Sequence, residues 1–471
     1  MYKFNALINN EFIETKERLE IINPEGLEVA GSVSALSAQQ IDDAFKAARS
    51  AQKQWAKTPL VKRISILNDW KNLILENKEE LATIIMTEVG KSYKDALVEV
   101  IRTAEYMEYT FEEAKRLNPL AMDGAGLGVE NKLGIFEYVP KGVGVAISPF
   151  NYPINLAISK IAPGLVTGNT LVFKPATQGS LIGARLGELA VEANLPKGIF
   201  NVVTGRGREI GDVIVTNPEI DFISFTGSVG VGHHIMEISS SKDLVLELGG
   251  KDPALVLDAN LVDKYANEIV TGAFSYSGQR CTAIKRVLTL DDIADKLVPE
   301  IVELTNKLSI GSPKDNKDIT PLIDMKSADF VWDLIQDAIS KGATVLTGGT
   351  NEGNLITPTV LDHVTPDMRV AWEEPFGPVL PIMRLGSVEE MIEIANKSDF
   401  GLQASVYSQD LLLAMRVAKE LETGTVNLNG KSQRGPDSFP FIGIKDSGHG
   451  VQGIRETLLS VTRFKGIVIN Y

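Results

Sequence analysis

Apolar and polar positions change period several times along this chain. The stretch SAQQIDDAFKAARSAQKQW places Ile41, Ala44, Ala47 and Ala48 at helical spacing behind a serine suited to cap, which predicts a helix. Short runs before it, in FNALINNEF and LEIINPEGLEVAGSVSAL, predict small strands, and residues 60 to 117 predict further helices. At LGIFEYVPKGVGVAI the pattern turns extended and is broken at Pro140. From there to residue 225 strands and helices alternate. GVGVAIS, TLVFKP, IFNVVTG and IDFISFTG predict strands; PINLAISKIAPGLVTG, SLIGARLGELAVEANLP and REIGDVIVTN predict the helices between them. Crossovers of that length imply an open, parallel α/β sheet.

A second α/β region starts near ELGGKDPALVLD and runs on through ATVLTGG, NLITPTVL and VLPIMRL. The last residues, VTRFKGIVINY, form an apolar strand whose edge needs a neighbour, from this chain or another subunit.

Length and charge narrow the function classes. The 471 residues suffice for two large domains or about three of ordinary size. A formal charge of −14 disfavours a nucleic-acid or anionic-membrane surface, so an anionic ligand must meet a local basic pocket. The N-terminus carries no secretory pattern, and no apolar run reaches the ~18 residues of a membrane span, so a cytoplasmic setting is expected. One cysteine excludes an internal disulfide. His233, His234, His363 and His449 lack zinc-ligand spacing, so no metal is expected.

That cysteine, Cys281 in YSGQRCTAIKR, admits two readings: a small buried hydrophobe, or a nucleophile beside the cation Arg280. Glu247 in LVLELGGKDP is either a solvated strand residue or, facing a cleft with a raised pKa, a general base. Asn151 in SPFNYPIN precedes a helix that would begin with Pro153 in its first turn; its amide suits an oxyanion, and equally an ordinary turn. TGRGREIG and FTGSVGVG fall at strand-to-helix transitions where a dinucleotide could approach the backbone, without the full Gly-x-Gly-x-x-Gly pattern. Lys174 in FKPATQG suits a ribose or 2′-phosphate, and equally an ordinary surface lysine beside a proline turn. Arg102, which could also pair with Glu99 or Tyr106, joins Arg280 and Arg434 as dispersed cations that would form a phosphate site if they converge.

Taken in order, SPFNYP, FKPATQGS, FTGSVGVG, LELGGKDP, GQRCTAIKR and EEPFGPV resemble the aldehyde dehydrogenase superfamily, and the likeness extends over nearly the whole chain. It implies an α/β fold with open parallel-sheet cofactor and catalytic domains plus a small β oligomerisation extension. The cofactor domain would comprise residues 1–118 and 142–249, the catalytic domain 250–446, and the extension 119–141 with 447–471. The resemblance makes Cys281 the nucleophile, Glu247 the base and Asn151 an oxyanion donor. Lys174, Thr177, Gly207, Gly211, Phe225, Gly227, Ser228, Glu374 and Phe376 become cofactor contacts. Thr177 stands where many NAD-using relatives carry glutamate, which favours NADP.

VIRTAEY, YSGQRCTAIKRV and SQRGPDSFPFIGIKDSGHGVQGI resemble the branch that oxidises glyceraldehyde 3-phosphate with NADP and water. That likeness gathers Arg102, Tyr152, Arg280 and Arg434 around the substrate phosphate and implies a homotetramer. A dehydrogenase for another small aldehyde, such as a semialdehyde or lactaldehyde, and a coenzyme A-acylating enzyme remain alternatives. A silent binding protein is a third.

Overall fold

The computed structural model describes residues 1–471. Five parallel strands form the heart of the first sheet, in the spatial order Asp243–Glu247, Phe222–Thr226, Val143–Ile147, Thr170–Lys174, Phe200–Val202. Alternation along each strand divides the core in two. Val143, Val145 and Val172 pack toward helices Ala38–Lys57 and Gly207–Val215, whereas Leu171 and Phe173 pack toward Asn155–Val166, Ser180–Glu192 and the helical segment 60–114. The strand order reverses between Val143–Ile147 and Phe222–Thr226, which opens a crevice at their carboxyl ends.

The second sheet runs Thr344–Thr347, Thr359–Asp362, Val379–Leu385, Arg286–Leu290, Pro253–Val256, Gln403–Tyr407, Thr425–Leu428, parallel except at its first strand. Its strand Pro253–Val256 follows Asp243–Glu247 after only five intervening residues. The carboxyl edge of the first sheet is therefore joined to the amino edge of the second by the short segment 248–252.

The capping serine behaves as expected: Ser37 and Gln40 form a reciprocal box at the start of Ala38–Lys57. Pro153 does not open its helix. That helix spans Asn155–Val166, and the Glu99 carboxylate accepts from the backbone N–H of Ile154 and Asn155, both at 3.1 Å. A carboxylate from a distant helix thus does the work assigned to the proline.

Leu120–Asp123, Lys132–Pro140 and Thr462–Asn470 form a separate antiparallel sheet. Its last strand leaves Phe464, Ile467, Val468 and Ile469 exposed. Before reaching it, the chain enters the edge of the first sheet at Gly448–His449 and lays helix Ile454–Ser460 against the body.

Candidate active site

Glu247 ends a strand at the carboxyl edge, and the two glycines after it are required by close approach. A Cβ on Gly249 would lie 2.4 Å from Glu374 Oε2, and one on Gly250 would lie 2.8 Å from the Cys281 carbonyl oxygen. The pair therefore lets three segments, 247–252, 281–285 and 374–376, meet in one place. Crowding by neighbouring segments is what requires glycine at both positions.

Cys281 arrives by an unusual path. After helix Val262–Phe274, Tyr276, Ser277 and Gly278 take φ of +51°, +54° and +73°. Left-handed backbone at two non-glycine residues in a row is costly, and here side-chain bonds hold it. Ser277 Oγ donates to the Thr320 carbonyl at 2.8 Å and accepts from its N–H at 2.9 Å; Tyr276 Oη donates to the Val89 carbonyl at 2.8 Å; Gln279 Oε1 accepts from Ile323 N–H at 3.0 Å. The loop is thereby fixed just ahead of Cys281.

The Cys281 thiol, partly open to the cavity, is pushed up to about 12. Burial is the main cause, and Glu247, Glu374 and Asp252 push the same way against the pull of Lys285. The free protein thus holds the sulfur protonated at neutral pH. Arg280 does not supply the activating charge: its Nη2 donates to the Gly272 carbonyl at 2.5 Å, while its buried Nε has no partner.

Glu247 is buried within a dense set of donors. Thr226 Oγ1 donates to its Oε2 at 2.8 Å, and Arg434 Nη1 donates to Oε1 and Oε2 at 2.9 and 3.1 Å. Lys160 Nζ lies 3.9 Å from Oε2 and donates to Thr226 Oγ1 at 2.7 Å. Burial pushes the Lys160 ammonium down to about 8, with Glu247 opposing. Lys160 was missed in the sequence, where it stands as the one charge in the apolar run PINLAISKIAPGLV; that isolation is the signal that could have found it.

One cavity of ≈ 730 Å³ brings together Cys281, Glu247, Arg102, Tyr152, Arg280 and Arg434. Lys91, Lys94, Lys317 and Lys431 add to the three arginines against Asp95, Glu99, Glu247 and Asp318, so cations predominate in a chain of net charge −14. Arg102 pairs neither with Glu99 nor with Tyr106: its Nη2 meets Asp437 Oδ2 at 3.1 Å. Glu99 instead forms a buried pair with Lys91 at 2.5 Å, and the Lys91 ammonium lies 3.8 Å from the Tyr152 ring centroid. Arg434 faces the cavity while bound to Glu247 and, through Nη2, to Gln452 Oε1 at 3.1 Å. Asn151 is buried beside the wall; its Nδ2 donates to the Gln279 carbonyl at 3.0 Å, two residues before the cysteine, and retains a second N–H.

The other nine candidates belong to the first sheet's carboxyl edge or to segment 374–376. Lys174 ends its strand, Thr177 follows it, Gly207 and Gly211 belong to helix Gly207–Val215, and Phe225, Gly227 and Ser228 lead into helix Val229–Ile238. These residues suit a dinucleotide. Open space lies where a Cβ on Gly207 or Gly211 would be, and no side chain caps helix Val229–Ile238, so its first N–H groups are available to a phosphate. Lys174 has only the Pro175 carbonyl as partner, and burial pushes it down to about 8. Glu374 Oε1 accepts from Gly250 N–H at 3.0 Å and meets Lys285 Nζ at 3.0 Å. Phe376, with φ of +49°, packs edge-on to Phe150 at 5.8 Å.

A cofactor crevice meeting a cationic cavity at a single cysteine is the arrangement of an aldehyde dehydrogenase, and the chain belongs to the aldehyde dehydrogenase family, whose model matches residues 12–467. Among its relatives, the chain is 48% identical over 470 residues to the NADP-dependent glyceraldehyde-3-phosphate dehydrogenase of Streptococcus equinus, covering 99% of each. It is 45% identical to the enzyme of the same name from Pisum sativum, covering 100% of this chain and 95% of the relative. The crystal structure of NADP-dependent glyceraldehyde-3-phosphate dehydrogenase from Bacillus halodurans C-125 complexed with NADP superposes with a TM-score of 0.99 at 51% identity, over 100% of both chains.

Proposed function

We propose that this protein oxidises D-glyceraldehyde 3-phosphate with NADP and water to 3-phosphoglycerate and NADPH, without inorganic phosphate. The observation that carries this reading is the convergence of Arg102, Arg280 and Arg434 with Cys281 in one cavity. Arg102 and Arg434 already meet Asp437 and Glu247, so it is Arg280, with no carboxylate partner of its own, that an unphosphorylated aldehyde leaves without an anion.

Cys281 Sγ adds to the aldehyde carbon to give a thiohemiacetal, its proton passing to a base in the cavity. The spare Asn151 N–H and the Cys281 backbone N–H hold the developing oxyanion. NADP, when bound at the carboxyl edge through Lys174, Thr177, Ser228 and Glu374, supplies the acceptor for the hydride that leaves the same carbon. Glu247 then takes a proton from water, which attacks the Cys281 thioester, releases the acid and returns the thiol. Glu247, which shares the cavity with Cys281, is linked through Thr226 to Lys160.

On this reading residues 1–118 and 142–249 hold the cofactor, 250–446 carry the nucleophile, and 119–141 with 447–471 assemble a homotetramer. The apolar, exposed face of Thr462–Asn470 supports a contact between copies. A catalytic free thiol suits a reducing cytoplasmic setting.

Steady-state comparison of glyceraldehyde 3-phosphate with unphosphorylated glyceraldehyde tests the substrate. The proposal expects a large preference for the phosphorylated aldehyde in kcat/KM; equal values would remove it.

A further inference from the structure

We propose that Lys285 is a positioning residue that ties the Cys281 loop to the cofactor-side carboxylate Glu374 and keeps a positive charge beside the nucleophile. The proposal rests on the reading of Cys281 as nucleophile and Glu374 as cofactor contact, and it assigns a function to a residue that this reading leaves without one.

Lys285 follows the cysteine by four residues, and its side chain is 2% exposed. A buried ammonium is costly unless its hydrogens are used. Nζ donates to the Cys281 carbonyl at 2.5 Å and meets Glu374 Oε1 at 3.0 Å, while the Lys285 backbone N–H donates to the Asp252 carbonyl at 3.0 Å. Glu374 Oε1 in turn accepts from Gly250 N–H. The ammonium therefore ties two of the three segments whose close approach demands glycine at 249 and 250, and the Lys285 backbone N–H and Glu374 bind the third.

The surrounding charges give the clamp a chemical consequence. Glu247, Glu374 and Asp252 oppose ionisation of the sulfur, while Lys285 provides the opposing pull; Lys160 and Arg434 lie across Glu247 and also interact with it. Arg280, adjacent in sequence, is turned to the Gly272 carbonyl. Removing the Lys285 charge leaves Glu374 uncompensated and the Cys281 carbonyl without its donor, so both the nucleophile and the cofactor contact lose their fixed register.

The chain holds a single cysteine, so iodoacetamide labelling read by mass spectrometry reports on Cys281 alone and needs neither aldehyde nor turnover. It therefore fails or succeeds separately from the substrate assignment. In Lys285→Met the pH–rate line should move up by on the order of one unit, which slows labelling about tenfold near pH 8. The NADP Kd should rise in the same variant, and Lys285→Arg should restore most of the labelling rate. Glu374→Gln should move the line the opposite way and speed labelling. A folded Lys285→Met protein with the wild-type pH–rate line and wild-type NADP Kd would overturn the proposal. Should Lys285→Met fail to fold by circular dichroism, Glu374→Gln decides: faster labelling supports the clamp, and unchanged or slower labelling overturns it.

Discussion

Arg434 holds Glu247 through one guanidinium nitrogen shared between both carboxylate oxygens, at 2.9 and 3.1 Å. Arg434 also lines the cavity, so in the proposed mechanism it serves both the water-activating carboxylate and the substrate phosphate. Arg434→Leu should lower kcat/KM for glyceraldehyde 3-phosphate by on the order of a hundredfold, the loss of about 3 kcal/mol of charge-assisted bonding. It should also lower the rate with unphosphorylated glyceraldehyde, since Glu247 loses its anchor. Steady-state kinetics with both aldehydes checks the pair of effects.

Arg280 gives the contrasting case. It lines the same cavity but makes no bond to Glu247 and has no carboxylate partner, its Nη2 donating to the Gly272 carbonyl. Arg280→Leu should reduce kcat/KM for the phosphorylated aldehyde by roughly tenfold to a hundredfold while leaving unphosphorylated glyceraldehyde much less affected. The ratio of the two losses separates phosphate binding from general damage to the loop.

If Glu247 activates water, Glu247→Gln should still form the thioester and then stall. Rapid mixing should show a burst of about one NADPH per subunit followed by turnover slowed by on the order of 10² to 10⁴. A variant with no burst would assign Glu247 to the first half of the reaction instead.

Thr177 follows the strand that ends at Lys174, on the edge assigned to the 2′-phosphate. Thr177→Glu should lower kcat/KM for NADP by roughly tenfold through like-charge repulsion, with little change for NAD. Initial rates with the two cofactors measure this.

Glu88 provides a pH test of the cofactor-side scaffold. Its fully buried carboxylate accepts from the N–H groups of Gly179, Leu181 and Ile182 at the start of helix Ser180–Glu192, and burial pushes it up to about 7 despite those donors. Between its unfolded value near 4.5 and about 7 the folded state binds the extra proton. Stability from this group is therefore full below pH ~4.5 and lost as pH rises through about 7. Urea unfolding of wild type against Glu88→Gln should show wild type losing on the order of 3 kcal/mol relative to the variant between about pH 4.5 and 8.

Much of this was legible from the residues. Alternating strand and helix patterns marked the parallel sheet because each crossover carries its own periodicity, and Ser37 marked its helix because capping is local. Cys281, Glu247 and Asn151 could not be joined by local rules: each had an ordinary reading, and only a family resemblance placed them together. Lys285, Lys160 and the Lys91–Glu99 pair went unassigned because their roles depend on burial and on distant partners, such as Thr226, 66 positions from Lys160, and Glu374, 89 positions from Lys285. The helix start given to Pro153 belongs to Glu99, a contact 55 residues distant for Ile154 that no local motif encodes.

The most direct test follows NADPH formation from glyceraldehyde 3-phosphate in buffer free of inorganic phosphate, with the acid product identified. A hydrolysed Cys281 thioester predicts sustained turnover and one 3-phosphoglycerate per NADPH. A requirement for phosphate, with 1,3-bisphosphoglycerate as the product, would contradict it.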